Sequence, residues 1–345
     1  MTIHNATAGR GSPHRGRRVA VTFAALVAAV LVAAVLTPPS ALAADAPKDY
    51  PSRPIRMIVT IGPGSAADTL GRIMAARIGQ LLGQQIVVDN RPGAGGILGM
   101  EAAVLAAPDG YTILGGSTAA LTIVPQMHKK IPYDPVNGFA HIGQYAVTPN
   151  VLITNISLPV RTVKEFIDYA NSKSGNLNMA SEGIGAQSHL AGVMFMTAAK
   201  IQSLHVPYKG GGGTIAVRAN ESQWQLPPAP SVMSLIRSGQ VRALGHTLPH
   251  RSPMFGDIPP IAETLPGFSY SGWNGLSAPK GTPPAIIGKL HDLMIKAVNS
   301  PETRKEFELQ ASEVKTSGPQ EYRGFIRSEL GTSAALVKAA GLKPE

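Results

Sequence analysis

The chain has 345 residues, 31 lysines and arginines against 21 acids, and a net charge of +10. It holds no cysteine, which excludes disulfides, thiolate metal sites, cysteine nucleophiles and a lipid-bearing cysteine. No dense Lys/Arg run occurs, so the charge leaves no nucleic-acid footprint and suits long-range steering of small anions instead.

Residues 1–43 read as an export signal. Arg10, Arg15, Arg17 and Arg18 precede an apolar run over 19–36, and Ala41-Leu42-Ala43 supplies a small-x-small cleavage pattern. A membrane anchor is the competing reading of that run; its small residues, Pro38-Pro39 and the Ala-x-Ala site favour cleavage. The Arg17-Arg18 pair leaves the general and twin-arginine export routes both open. The four arginines ahead of residue 44 account for 4 of the +10, so the mature chain carries +6. At about 300 residues it suits two lobes better than one core.

Residues 55–60 read as a buried strand ending at Gly62-Pro63-Gly64-Ser65. A helix is expected from Ala66, with Leu70, Ile73, Met74, Ile78 and Leu81 on one face and Gly83 as its stop. Strand 86–89, helix 97–107 and strand 111–115 follow, an alternation that predicts a parallel sheet with crossover helices. Residues 131–155, with three prolines, read as extended segments crossing to a second lobe. There a helix begins at Val163, followed by strand 178–181, helix 188–200, strand 204–208 and strand 241–245. After Phe268 the chain is expected to return, ending in helices 285–299, 302–311 and 320–340. The expected architecture is α/β, with lobe I formed by 44–149 and 270–345, lobe II by 150–269, and a hinged cleft between them.

In open α/β sheets, ligands sit at the carboxyl ends of strands. The loop holding Gly62, Pro63, Gly64, Ser65, Ala66 and Asp68 is in that position. Glycine allows close approach, and the amides and dipole of the following helix favour a carboxylate. A tight turn with a capped helix is the equal alternative. Gly116, Ser117 and Thr118 end the third strand; Ser181, Gly183, Gln187 and Ser188 end a strand of the second lobe. Together these loops suit a carboxylate clamp. Tyr208 and Lys209 could close it, the alternatives being a packing ring and a solvated surface lysine.

Enzyme motifs fail. Gly93 to Leu98 and Gly183 to Ser188 lack the third glycine of a dinucleotide fingerprint, Gly288-Lys289 is followed by Leu290, and no histidine precedes a glutamate. His246 and His250 are separated by Pro249. No catalytic residue, metal site or cofactor is expected. Glu182 and His189, seven apart, are the only thin basis for an exported enzyme.

The motifs resemble the solute receptors of the tripartite tricarboxylate transporters, the Bug-type receptors. The resemblance rests on Tyr50-Pro51-Ser52-Arg53-Pro54-Ile55, Asn90-Arg91-Pro92-Gly93-Ala94-Gly95-Gly96, Pro108-Asp109-Gly110-Tyr111, Pro149-Asn150-Val151-Leu152, Ser188-His189-Leu190-Ala191-Gly192, Val206-Pro207-Tyr208-Lys209-Gly210 and Gly281-Thr282-Pro283. It implies a type II periplasmic-binding-protein fold and a monomeric periplasmic receptor that passes a small organic carboxylate to membrane transporter subunits. It also implies a carboxylate held by amides, hydroxyls and waters at 62–68, 116–118 and 181–188. A signalling receptor of the same fold is the rival within the class. Two departures stand out. The first loop has Ile61 before Gly62-Pro63-Gly64-Ser65-Ala66 where the family has an aromatic residue and adjacent glycines. Residues 218–230 are more polar and proline-rich than a buried strand should be.

Overall fold

A computed structural model of the chain describes residues 1, 2, 4, 49–173 and 175–342. Residues 5–43, most of the expected export segment, lie outside the described residues. All that follows concerns the unit Ala44–Glu345.

The first sheet opens with β1 (Ile55–Val59), α1 (Ala66–Leu82), β2 (Ile86–Asn90), α2 (Ile97–Val104), β3 (Thr112–Ser117), α3 (Val124–Met127) and β4 (Phe139–Pro149). The chain then builds a second sheet with β5 (Val151–Thr154), α4 (Val163–Lys173), β6 (Asn178–Ser181), α5 (Gln187–Ala199), β7 (Leu204–Pro207), α6 (Gly212–Arg218), β8 (Trp224–Gln225), α7 (Met233–Arg237) and β9 (Arg242–His246). It returns with β10 (Ser271–Pro279), α8 (Pro284–Val298), α9 (Pro301–Leu309), β11 (Glu313–Val314) and α10 (Pro319–Ala339). The strand orders are β11-β4-β10-β3-β1-β2 and β7-β6-β8-β5-β9.

The apolar residues of β1, interrupted only by Arg56, which pairs with Asp89, are explained by cover on both faces. Met57 and Val59 pack with Leu70, Met74 and Ile78 of α1, whereas Ile58 faces a separate core with Met100, Leu114 and Trp273. Ser65 caps α1, and Gly83, in the left-handed region at φ 68°, ends it. The sheets are mixed rather than parallel. Strands built by strand–helix–strand units, β1, β2 and β3, pair in parallel, and β6 pairs in parallel with β7 and β8. Strands that arrive from the other sheet, β10 and β5, pair antiparallel with their neighbours. They reach their places without a crossover helix, so nothing compels parallel entry.

The two sheets join at Asn150, between β4 and β5. Fully buried, it donates its backbone N–H to Thr247 Oγ1 at 2.8 Å and its Nδ2 to Leu226 O at 2.8 Å. Thr247 in turn donates its hydroxyl to Tyr270 O, tying the return segment to the outgoing one. Helix α10 crosses as well: Tyr322 and Ile326 pack with Trp273 in the first lobe, and Val337 packs with Leu152, Phe166 and Phe195 in the second.

Segment 218–230 contributes only the two-residue strand β8, yet it holds the middle of the second sheet. Trp224 is fully buried, edge-on to Phe166 and Phe195 at 5.4 and 5.7 Å, with Nε1 donating to Ser203 Oγ at 2.9 Å. The prolines continue the pairing past β8 through their carbonyls: Pro227 O accepts from Val151 N at 2.9 Å, and Pro228 bridges Asn150.

Candidate functional site

Four strand ends converge between the lobes. Thr60, Ile61 and Gly62 follow β1, Pro92 to Gly96 follow β2, Glu182, Gly183, Ile184 and Ala186 follow β6, and Tyr208, Lys209 and Gly210 follow β7. They enclose a cavity of about 210 Å³. A larger hollow of about 680 Å³, lined by Arg72, Gln80, Gln84 and Gln85, lies along α1 and the start of β2, away from the carboxyl ends of the strands where ligands of open α/β sheets sit.

The lobes touch at this rim through glycine. Gly210, at φ +53°, lies so close to the first lobe that a Cβ on it would stand 2.8 Å from Gly62 C, Gly62 O and Pro63 O. Gly211 N–H donates to Pro63 O at 3.1 Å. A Cβ on Gly95 would likewise stand 3.2 Å from Ile184 O. Only glycine permits both the left-handed backbone and the close approach.

The first loop caps its own helix. Ser65 Oγ accepts from Asp68 N–H at 3.3 Å, Asp68 Oδ2 accepts from Gly64 N–H at 3.0 Å, and Arg72 Nη2 stands 2.9 Å from Asp68 Oδ1. Two amides that could meet an anion are therefore held by side chains of the loop. Gly116 lies opposite Gly275 in the ladder, and Thr118 Oγ1 both accepts from Trp273 N at 2.6 Å and donates to Trp273 O at 3.3 Å.

Register places a polar floor beside these residues. Ser117 is opposite Asn274, and Thr148 is opposite Gly272, two residues away on the same face. Ser117 Oγ, Thr148 Oγ1 and Asn274 Oδ1 are buried and have no hydrogen-bond partner among the described residues. Gln187 covers this face. A Cβ on Gly272 would fall 2.0 Å from Gln187 Oε1, and Gln187 Nε2 donates to Thr148 O at 2.9 Å and Asn150 Oδ1 at 2.6 Å.

In the second lobe, hydroxyls shape the loop after β6. Ser181 Oγ accepts from Gly183 N at 3.1 Å and pairs with His205 Nε2 at 2.7 Å; Ser188 Oγ accepts from Glu182 N at 2.9 Å. His189 Nδ1 accepts from Gly185 N at 3.3 Å, and its ring stacks on His205 at 4.0 Å. Burial, with His205 alongside, lowers the His189 pKa to about 4, so the ring is neutral and free to accept. Glu182 is buried, and its Oε1 accepts from Ser231 Oγ at 2.7 Å. Burial pushes its carboxyl up to about 7 against the opposing hydrogen bond from Ser231. Glu182 and His189 thus have separate partners and form no acid–base couple. Tyr208 OH meets Ser222 Oγ at 3.3 Å, and Lys209 is exposed at the rim.

Of the residues expected from sequence, Gly62, Gly183, Tyr208 and Lys209 line the cavity. Pro63, Gly64, Ser65, Ala66 and Asp68 form the adjoining loop and helix start, Gly116, Ser117, Thr118 and Gln187 belong to the floor, and Ser181 and Ser188 hold the second-lobe loop. Sequence reasoning missed the wall at Pro92 to Gly96, although its glycine-bearing loop after a strand was the available signal. It held Glu182 only as part of the 181–188 loop and as the acid of an enzyme alternative, and missed Gly210 as a contact.

Residues 70–342 match the family model described as "Tripartite tricarboxylate transporter family receptor". The protein BugT of Bordetella pertussis is 33% identical over 297 residues, covering 85% of this chain and 91% of its own. The solved structure of the periplasmic binding protein BugD superposes with a TM-score of 0.82 at 29% identity, over 86% of this chain and all of its own. Rpa4515 of R. palustris, solved with adipate, superposes with a TM-score of 0.83 at 27% identity, over 86% of this chain and all of its own.

Proposed function

The chain belongs to the tripartite tricarboxylate transporter receptor family, and from that premise we propose that it is an exported, monomeric receptor that captures a small carboxylated solute between its lobes and delivers it to a membrane transporter. The observation that carries this reading is the cavity at the carboxyl ends of β1, β2, β6 and β7. At about 210 Å³ it suits a small metabolite rather than a drug-sized molecule. Its walls are largely glycine-bearing backbone, which brings amide dipoles to a solute without a side chain between. The unpaired Ser117, Thr148 and Asn274 atoms, on the sheet face that Gln187 covers, are further hydroxyl and amide partners outside the cavity lining. The adipate-bound neighbour supports the carboxylate class. The receptor role, the absence of a Glu182–His189 couple and the failure of enzyme motifs together support a protein that binds without turnover.

A thermal-shift screen of carboxylates with sugars as controls tests the reading. Stabilisation by at least one carboxylate, with the compound recovered unchanged, is expected. Stabilisation by sugars alone would overturn it.

A further inference from the structure

Among the residues lining the cavity, Glu182 is the single acid. It is 6% exposed, its Oε1 is engaged by Ser231 Oγ, and its Oε2 has no hydrogen-bond partner among the described residues. It takes part in none of the ion pairs formed among those residues. The other charged lining residue, Lys209, is exposed at the rim and does not neutralise it.

A buried carboxyl without a counter-charge is costly, and the cost falls when a cation arrives beside it. Above pH 7, where Glu182 is ionised, a second carboxylate in the same cavity would instead meet like charge. We propose that Glu182 selects a solute carrying a cationic nitrogen as well as a carboxylate, an amino-acid-like zwitterion, over a dicarboxylate of the same carbon frame. The inference rests on the receptor reading above and narrows its solute class. In that arrangement the solute carboxylate lies on the glycine-bearing loops and its ammonium donates to Glu182 Oε2, the oxygen left free by Ser231. The mild positive charge of the mature chain steers the carboxylate end, and Glu182 reads the other.

The test is calorimetric titration at pH 8 of the mature protein and of Glu182→Gln with two matched sets: glutarate, 4-aminobutyrate and glutamate; succinate, β-alanine and aspartate. The glutamine keeps an oxygen for Ser231 and removes the charge. In the wild type an aminated member of each set should bind roughly 10- to 100-fold tighter than its diacid, the range of a charge-assisted hydrogen bond. Glu182→Gln should close that gap while still binding the diacids. Diacids binding as tightly as the aminated compounds, or a preference that survives Glu182→Gln, would overturn the inference while leaving the receptor reading intact. Binding of none of the six while another carboxylate stabilises the protein in the thermal-shift screen would overturn the inference alone; no carboxylate binding in either experiment would remove both.

Discussion

Gly210→Ala tests whether the glycine contact at the rim governs closure. The added methyl would stand 2.8 Å from Gly62 C, Gly62 O and Pro63 O, which belong to the opposite lobe. Backbone cannot swing aside as a side chain can, so relief comes from parting the two loops. Parting them breaks the 3.1 Å bond from Gly211 N–H to Pro63 O, a net contribution of about 1 kcal/mol. Alanine at φ +53° adds roughly 1–2 kcal/mol of backbone strain, felt with the lobes open or shut. The closure-specific part, about 1 kcal/mol, predicts solute binding weakened roughly fivefold. Gly212→Ala serves as control, because its Cβ would meet only Tyr208 Cβ, at an ordinary 3.5 Å. Calorimetry reads the affinity and small-angle scattering reads the lobe separation. Wild-type affinity in Gly210→Ala would refute the reasoning.

Three further outcomes are expected. Because burial raises the Glu182 pKa from 4.5 to about 7, its contribution to stability is full below pH 4.5 and lost as pH rises through 7; Glu182→Gln should therefore melt higher than wild type at pH 8, by at most roughly 3 kcal/mol, with no gain at pH 4. Burial lowers His141, His189 and His246 from 6.5 to about 4, so their stabilising neutral forms are present above pH 6.5 and lost as pH falls towards 4; the urea midpoint should drop over that window despite the opposite, single contribution of Glu182, and a flat profile would contradict the assignment. Trp224→Ala should cost about 3–5 kcal/mol in a denaturant titration, whereas Trp224→Phe, which loses chiefly the Ser203 bond, should cost about 1 kcal/mol.

The strand and helix alternation was legible because each element carries its own period. The Leu70, Met74 and Ile78 face of α1 and the Gly83 stop appear in the structure where the sequence puts them. The antiparallel half of each sheet was not legible, since the direction in which β5 and β10 enter depends on contacts distant in sequence. Segment 218–230 misled for a related reason. Its polar residues and prolines obscure a two-residue strand whose burial comes from Phe166 and Phe195 on other helices. At the site, local signals identified loops but not their tasks. Ser65 and Asp68 could cap or bind, and only coordinates show both engaged by the loop itself. Glu182 stood out only as a thin partner for His189; its bond from Ser231, 49 positions along the chain, is not readable locally.

The central claim is capture of a small carboxylated solute in the cavity between β1, β2, β6 and β7. Its most direct measurement is a crystal structure of residues 44–345 grown with the best carboxylate from the thermal-shift screen. The account predicts density for that compound bounded by Gly62, Gly95, Gly183 and Gly210. Density at a different place, with that cavity left unchanged, would contradict it.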